Sequence, residues 1–236
     1  MTKGGMMQVP LTVPSLLERA ATLFPGKGVV TVTEEGRARL SWRAVRDRAW
    51  ALAAALPSLE VAEGDRVASL AWNSHRHLEL YFGVPAAGAV LLTANVRLST
   101  EQITRILAHA GARVVFADPE FVPLVEEVAR SLPFPMRKVV LGARVPEGWA
   151  SYEEILASAD PSARRPGLDE DAAAGLCYTS GTTGEPKGVL YSHRAIALHT
   201  LAICLPDGFG LGEADVVLPA VPMFTPTRGG WPTPRP

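Results

Sequence analysis

The densest run of chemically useful side chains is Thr179-Ser180-Gly181-Thr182-Thr183-Gly184-Glu185-Pro186-Lys187-Gly188. Four hydroxyls stand on Thr179, Ser180, Thr182 and Thr183. Gly181 and Gly184 let the backbone turn tightly and aim N–H groups inward with no Cβ in the way. Lys187 adds a mobile positive charge for oxyanions, and Pro186 stiffens the chain just before it. This is the composition of a wrap around a polyphosphate, with one hydroxyl able to approach an accompanying Mg2+. It departs from the common nucleotide loop, in which Gly-Lys is followed by Ser or Thr at the start of a helix. Here Gly188 follows the lysine and the next residues favour a strand. Gly-Thr-Thr-Gly alone also suits an ordinary turn, so the flanks carry the weight.

The flanks are elements that would hold such a loop. An apolar strand over residues 172–178 runs into it, and β-prone residues 189–191 leave it. Upstream, apolar strands are predicted near 66–70, 90–93, 114–117 and 138–141, with another at 29–33. They show little alternation, as expected when helices cover both faces of a sheet. Between them lie helical stretches over 14–23, 42–56, 74–82, 99–110 and 119–128. Ser41 and Ser99 are caps, and Gly111 is a stop. The first helix should bury Leu16, Leu17, Ala20 and Leu23, and the glycines and Pro85 should mark a change of path between the helix at 74–82 and the strand at 90–93. Residues 142–170, rich in charge and proline, read as a surface excursion anchored by Trp149 and Tyr152, helical only at 152–156. A helix over 194–205 follows, begun by His193, and residues 216–224 read as a strand towards a pocket wall. The sum is an α/β domain with a mostly parallel sheet and helices on both faces.

Bulk properties exclude several function classes. The 236 residues are 47% apolar and 20% charged, with a formal charge of −1. Such a balance fits a globular protein and offers no electrostatic case for binding nucleic acid. The most lipid-like stretch, residues 81–96, is too short to span a bilayer and contains Gly83, Pro85 and Gly88, so no transmembrane segment is expected. No signal peptide is read, and a cytoplasmic location is expected. Cys177 and Cys204 form no metal or disulfide pattern and read as buried small hydrophobes. His75, His77, His109 and His199 lack partners at metal-ligand spacing and receive no role. Ser180 with His193 lacks the nucleophile elbow of an acyl-transfer pair.

The ungapped string Tyr178-Thr-Ser-Gly-Thr-Thr-Gly-x-Pro-Lys-Gly-Val189 resembles the phosphate-binding signature of the adenylate-forming superfamily, which includes acyl-CoA synthetases, luciferases of the firefly type and peptide-synthetase adenylation domains. Leu40-Ser41-Trp42, Gly64-Asp65-Arg66-Val67-Ala68, residues 71–95 and Ser192-His193-Arg194 resemble further parts of that family. The resemblance implies the N-terminal part of the large AMP-binding domain, incomplete, over residues 1–224. It also implies activation of a carboxylic acid with Mg-ATP to an acyl adenylate, then transfer to CoA. Thr179, Ser180, Gly181, Thr182, Thr183, Gly184 and Lys187 would hold the ATP phosphates, with Thr182 nearest Mg2+. Residues 216–224 resemble the Leu-Pro-x-x-Pro-Met-Phe-His segment of medium- and long-chain fatty acyl-CoA synthetases. A fatty acid is therefore the expected substrate, and the full synthetases of the family are often homodimers. An aryl or amino acid as substrate, or a non-catalytic nucleotide- or partner-binding protein, are the alternatives.

After Phe224 the family expects a histidine and a pocket-lining helix. Residues 225–236 instead hold four prolines in twelve positions, which suits an exposed coil. One cytosine inserted before the Thr225 codon lets the following codons encode His-x-Asn-Ala-Trp-Gly-Leu-Ala-Tyr, very close to the family's His-x-Asn-Ala-Trp-Gly-Leu-Pro-Tyr. A frameshifted tail, an absent C-terminal domain and an inactive fragment are the expectations. The nucleotides across codons 224–236 test them: a one-base shift should open a second frame encoding the remaining domain, and its absence would contradict the idea.

Overall fold

The computed structural model describes residue 5 and residues 9–33, 36–163, 165–180 and 186–224. In chain order the strands are β1 (Gly28–Thr33), β2 (Gly36–Ser41), β3 (Arg66–Leu70), β4 (Val90–Thr93), β5 (Val114–Ala117), β6 (Arg137–Val140), β7 (Ala150–Ser151), β8 (Ala173–Ser180) and β9 (Pro186–Ser192). The helices are α1 (Val13–Leu23), α2 (Trp42–Ala55), α3 (His75–Ala86), α4 (Thr100–Ala110), α5 (Val122–Ser131), α6 (Tyr152–Ala157) and α7 (His193–Cys204). Strands β3 to β9 form one sheet in the order β7-β6-β5-β3-β4-β8-β9. All its pairs are parallel except β8 with β9, which is antiparallel.

Every residue of β4 and β5 is buried, because helices cover both sides of these strands. On one face α4 and α5 bring Ile103, Ile106, Leu107, Val125 and Val128 against Leu92 and Val115. On the other, α2, α3 and α6 bring Leu52, Leu80, Val84 and Leu156 against Val67, Leu91 and Phe116. Burying a side chain of this size contributes roughly 1.5–3 kcal/mol. Serine starts α2, α3, α4, α6 and α7: Oγ of Ser41, Ser74, Ser99, Ser151 and Ser192 accepts the N–H three residues on. Such caps satisfy an otherwise orphaned donor at each helix start.

The strands near 66–70, 90–93, 114–117, 138–141 and 172–178 fall where expected, as does the excursion held by the buried Trp149 and Tyr152. Other expectations are corrected. Residues 36–41 pair with β1 as a separate antiparallel hairpin; alternating Arg37, Ala38, Arg39 and Leu40 concealed that strand among charged residues. Helix α3 continues through Pro85 to Ala86. A proline in the last turn removes one hydrogen bond, and α3 is already packed tightly on α2: a Cβ at Gly83 would stand 2.7 Å from the Ala49 carbonyl oxygen. Helix α1 buries Val13, Pro14, Leu17 and Ala21, leaving Leu23 exposed, since the neighbours α2, α3 and α7 meet a different side of it. Cys177 is half-buried and Cys204 exposed at the end of α7, so neither is a core residue. Residues 216–222 form neither strand nor helix; Val216 and Leu218 face outward, and only Met223 and Phe224 are buried.

Helices α2, α3 and α6 are tied by charge as well as by packing. Glu79 is fully buried and accepts from Arg48 Nε at 2.7 Å and from the Tyr152 hydroxyl at 2.8 Å. Arg48 also donates to both oxygens of Glu153, at 2.8 and 3.1 Å, and Arg76 Nε reaches Glu153 at 2.9 Å. Burial pushes the Glu79 carboxyl up, with the Arg48 guanidinium and the Tyr152 hydroxyl pulling it back.

His77, on α3, is completely buried. Its Nδ1 lies 2.9 Å from the Trp72 carbonyl oxygen and its Nε2 lies 3.0 Å from Ser69 Oγ. The carbonyl can only accept, so Nδ1 carries the proton and Nε2 accepts from the serine. Burial pushes this imidazole from 6.5 down to about 4, opposed by the bond to Trp72. Above pH 6.5 both folded and unfolded chains hold a neutral ring. Below it the unfolded chain binds a proton that the folded chain refuses, so stability falls with pH until about 4, by roughly 3 kcal/mol in all. Asp118, raised by burial to about 6, acts in the opposite sense, adding stability as pH drops through its folded value. The isolating measurement is therefore a difference. Urea midpoints of the natural protein should fall more steeply between pH 7 and pH 4.5 than those of His77→Gln, and equal slopes would contradict the buried neutral ring.

Candidate functional site

The parallel strands β3, β4 and β8 end on one side of the sheet, and two segments of chemical interest gather there. Chain direction across the sheet reverses at this point: β4 lies to one side of β3, and β5 and β6 lie to the other. Ligands of open α/β sheets bind outside the carboxyl ends of strands at such a reversal.

The first segment is the hydroxyl-rich loop. β8 runs past the end of β4 and turns back as β9, pairing Tyr178 with Gly188, Thr179 with Lys187 and Ser180 with Pro186. Directly opposed residues of an antiparallel pair present their side chains on one face. Thr179 and Lys187 are thus a hydroxyl and an ammonium side by side, both exposed, at the base of a five-residue connection. Gly181, Thr182, Thr183 and Gly184 lie outside the described residues, as does the side chain of Ser180. Beneath the ribbon, α7 begins at His193, which is buried; its Nδ1 accepts from Val13 N–H at 3.2 Å, and its own N–H donates to the Ala172 carbonyl. It is a packing and anchoring residue that joins α1 to α7. Burial lowers its pKa.

The second segment is 219–224, and Asn73 holds it. Asn73 follows β3 directly. Its Nδ2 donates to the carbonyl oxygens of Pro219 at 2.9 Å and Val221 at 3.0 Å, and its Oδ1 accepts from Met223 N–H at 2.6 Å. The Tyr81 hydroxyl donates to the Met223 carbonyl, and Phe224 packs on Trp72 with ring centroids 5.4 Å apart. Neighbouring strands are about 4.8 Å apart, so β3 and β8 are separated by about 10 Å at the end of the sheet where Asn73 holds the apolar segment. Asn73 lay inside the motif-bearing stretch 71–95, but its bonds cross roughly 150 residues of chain. No local spacing could reveal them.

Only an amide can both donate and accept in this way. Asn73→Asp keeps the acceptor for Met223 but sets a carboxylate against two carbonyl oxygens. At about 0.5–1.5 kcal/mol for each bond lost, Asn73→Asp, which loses two, should lower stability by about 1–3 kcal/mol, and Asn73→Ala, which loses three, by about 1.5–4.5 kcal/mol. Urea unfolding followed by tryptophan fluorescence reads this. Asp tolerated at no cost would contradict the donor role.

Among the described residues no cluster of three or more His, Cys, Asp or Glu is placed to hold a metal ion. No described helix is long and apolar enough to cross a membrane.

The mostly parallel α/β sheet, with the Tyr178–Val189 signature on its edge pair β8–β9, is that of the adenylate-forming class. The family model described as AMP-binding enzyme matches residues 17–229. The chain belongs to that family. It is 49% identical over 220 residues to a long-chain-fatty-acid–CoA ligase of Thermus thermophilus, covering 93% of this chain and 40% of that protein. It is 42% identical to a medium-chain-fatty-acid–CoA ligase of Ectopseudomonas oleovorans, over 97% of this chain and 43% of the relative. The solved structure of a putative long-chain-fatty-acid CoA ligase from Rhodopseudomonas palustris superposes with a TM-score of 0.79 at 28% identity, over 92% of this chain and 53% of that one. The chain spans about two fifths of the length of the curated relatives it matches.

Proposed function

We propose that this chain supplies the phosphate-binding edge of an ATP-dependent acyl-CoA ligase whose substrate is a medium- or long-chain fatty acid. The observation that carries the proposal is the ungapped signature at Tyr178–Val189 on a hairpin that sets Thr179 and Lys187 opposite each other. In the reaction, a carboxylate oxygen attacks the α-phosphorus of ATP, the bond to the bridging oxygen breaks, and pyrophosphate leaves. The CoA thiolate then attacks the acyl carbon and AMP departs. Thr179, Ser180, Gly181, Thr182, Thr183, Gly184 and Lys187 would hold the β- and γ-phosphates, keeping the α-phosphorus in line and offsetting charge on the leaving group. Thr182 would be the hydroxyl nearest the Mg2+ that accompanies ATP. Residues 219–224, braced by Asn73 and Tyr81, would form one wall beside the acyl group. The names of the relatives support a fatty acid over an aryl or amino acid.

The chain spans about two fifths of the length of the curated relatives it matches, so the activity is proposed for the whole protein. The test compares this chain with residues 1–224 continued by the C-terminal part of a full-length relative. Each receives Mg-ATP and a panel of fatty, aryl and amino acids, and pyrophosphate release is measured. The continued protein should turn over with fatty acids, and this chain should be silent. Turnover by the chain alone at a comparable rate would refute the division of labour, and turnover only with aryl or amino acids would refute the substrate class.

A further inference from the structure

His109 sits in the last turn of α4, and the position of that turn is fixed from two sides. Arg66, at the start of β3, donates through Nε to the Ala110 carbonyl at 2.6 Å and through Nη1 to the Gly64 carbonyl at 3.0 Å. Gly111 ends the helix at φ +65°, where an added Cβ would stand 3.0 Å from Arg66 Nη2. A glycine is needed there both for the left-handed backbone and for the close guanidinium.

From this fixed turn His109 Nδ1 reaches the hydroxyl of Tyr178 at 2.6 Å, the two rings meeting edge to face at 5.8 Å. Tyr178 stands opposite Gly188 in the β8–β9 ribbon. A Cβ on Gly188 would lie 3.1 Å from Tyr178 Cζ and 3.3 Å from its hydroxyl oxygen, so the phenol ring lies across the glycine. Gly188 is bonded to Lys187, and the next two rungs, Thr179 with Lys187 and Ser180 with Pro186, are the last before the loop. Among the described residues β9 is the edge of the sheet, with no strand on its far side. Its loop-proximal end is therefore held by β8 and by whatever pins the Tyr178 ring.

We infer that His109 and Tyr178 form a clamp that sets the position of Lys187, with His109 as a positioning residue for the phosphate loop; this rests on the phosphate-binding role proposed above. The hydrogen bond fastens the mouth of an edge hairpin to a helix that is itself locked to the central strand. A lysine that must meet a leaving group loses effectiveness when its strand can shift by an ångström. The face carrying the clamp is opposite to the one presenting Thr179 and Lys187, so His109 and Tyr178 act on the site without touching the phosphates.

Hydrogen exchange on this chain, read by mass spectrometry, tests the clamp. Losing one neutral hydrogen bond of about 1 kcal/mol corresponds to about a five-fold change in local opening. His109→Ala and Tyr178→Phe should each speed exchange of peptides covering 178–190 about five-fold, with β3 to β5 unaffected. The double variant should be no faster than either single one, because both remove the same bond. His109→Gln, which retains an acceptor and a donor, should restore most of the protection. Mg2+ with inorganic triphosphate should slow exchange in the same peptides, and His109→Ala should raise the half-saturating concentration about five-fold. Unchanged exchange in His109→Ala, additive effects in the double variant, or triphosphate protection indifferent to His109 would each overturn the clamp. Absence of triphosphate protection in the natural chain, with clamp-dependent exchange intact, would instead overturn the phosphate role on which the proposal rests.

Discussion

Lys187→Ala, in a full-length protein carrying residues 1–224, is expected to slow the pyrophosphate-forming half-reaction about 10²–10³-fold. Transfer from a preformed acyl adenylate to CoA should change far less. The asymmetry follows from when charge develops. In the role proposed for Lys187, negative charge would build on the departing β,γ-phosphates as the α-phosphorus is attacked, and the ammonium opposite Thr179 would meet it at that moment. Once pyrophosphate has gone, the same ammonium faces no developing charge. Lys187→Arg keeps the charge but replaces a compact ammonium by a wide planar fork, so it should recover only part of the rate. The measurement separates the half-reactions by pyrophosphate exchange for the first and acyl transfer from synthetic adenylate for the second. Equal losses in both would mean that Lys187 supports the fold or the nucleotide generally.

Arg48→Ala is expected to lower the unfolding free energy by about 3–5 kcal/mol, a large share of what a domain of this size possesses. The substitution leaves Glu79, wholly buried on α3, without its cation, and it removes both guanidinium bonds to Glu153 on α6. The tyrosine hydroxyl would remain as the donor to Glu79. The folded protein would then escape the unpaired charge by protonating Glu79. The cost should therefore shrink as pH is lowered towards the carboxylate range, and Arg48→Ala with Glu79→Gln should be less damaging than Arg48→Ala alone. Urea unfolding of the three variants at pH 7.5 and pH 5 checks both statements. A loss under 1 kcal/mol at pH 7.5 would mean that the network is no more than a surface ion pair.

Several parts of this molecule were legible in the residues themselves because their causes are local. A strand buried on both faces must be apolar throughout, and residues 66–70, 90–93 and 114–117 are nearly so. A serine before a helix announces its start because it needs only the N–H three residues ahead, as at Ser41 and Ser99. The family signature was legible because glycine, hydroxyl and lysine within ten residues form a string that stands without reference to the rest of the chain. The family followed from that string and holds over residues 17–229.

Tertiary structure decided what depends on distant neighbours. Pro85 looked like a terminus but lies within α3, because close packing against α2 outweighs one missing hydrogen bond. Residues 216–222 had a strand's composition, but among the described residues no strand pairs with them, and Asn73, which lies roughly 150 residues earlier, holds the carbonyls of Pro219 and Val221. His109, given no role in the sequence because it had no partner at ligand spacing, meets Tyr178 across 69 residues. Arg48, Glu79 and Glu153 stand on three separate helices, and only the fold closes them into one network around the buried Glu79. Periodicity and caps act within one turn of helix or one rung of sheet, so the sequence shows them directly. Side-chain partners that converge through topology exist only once the sheet order is set, as Asn73 with residues 219–223 and His109 with Tyr178 do.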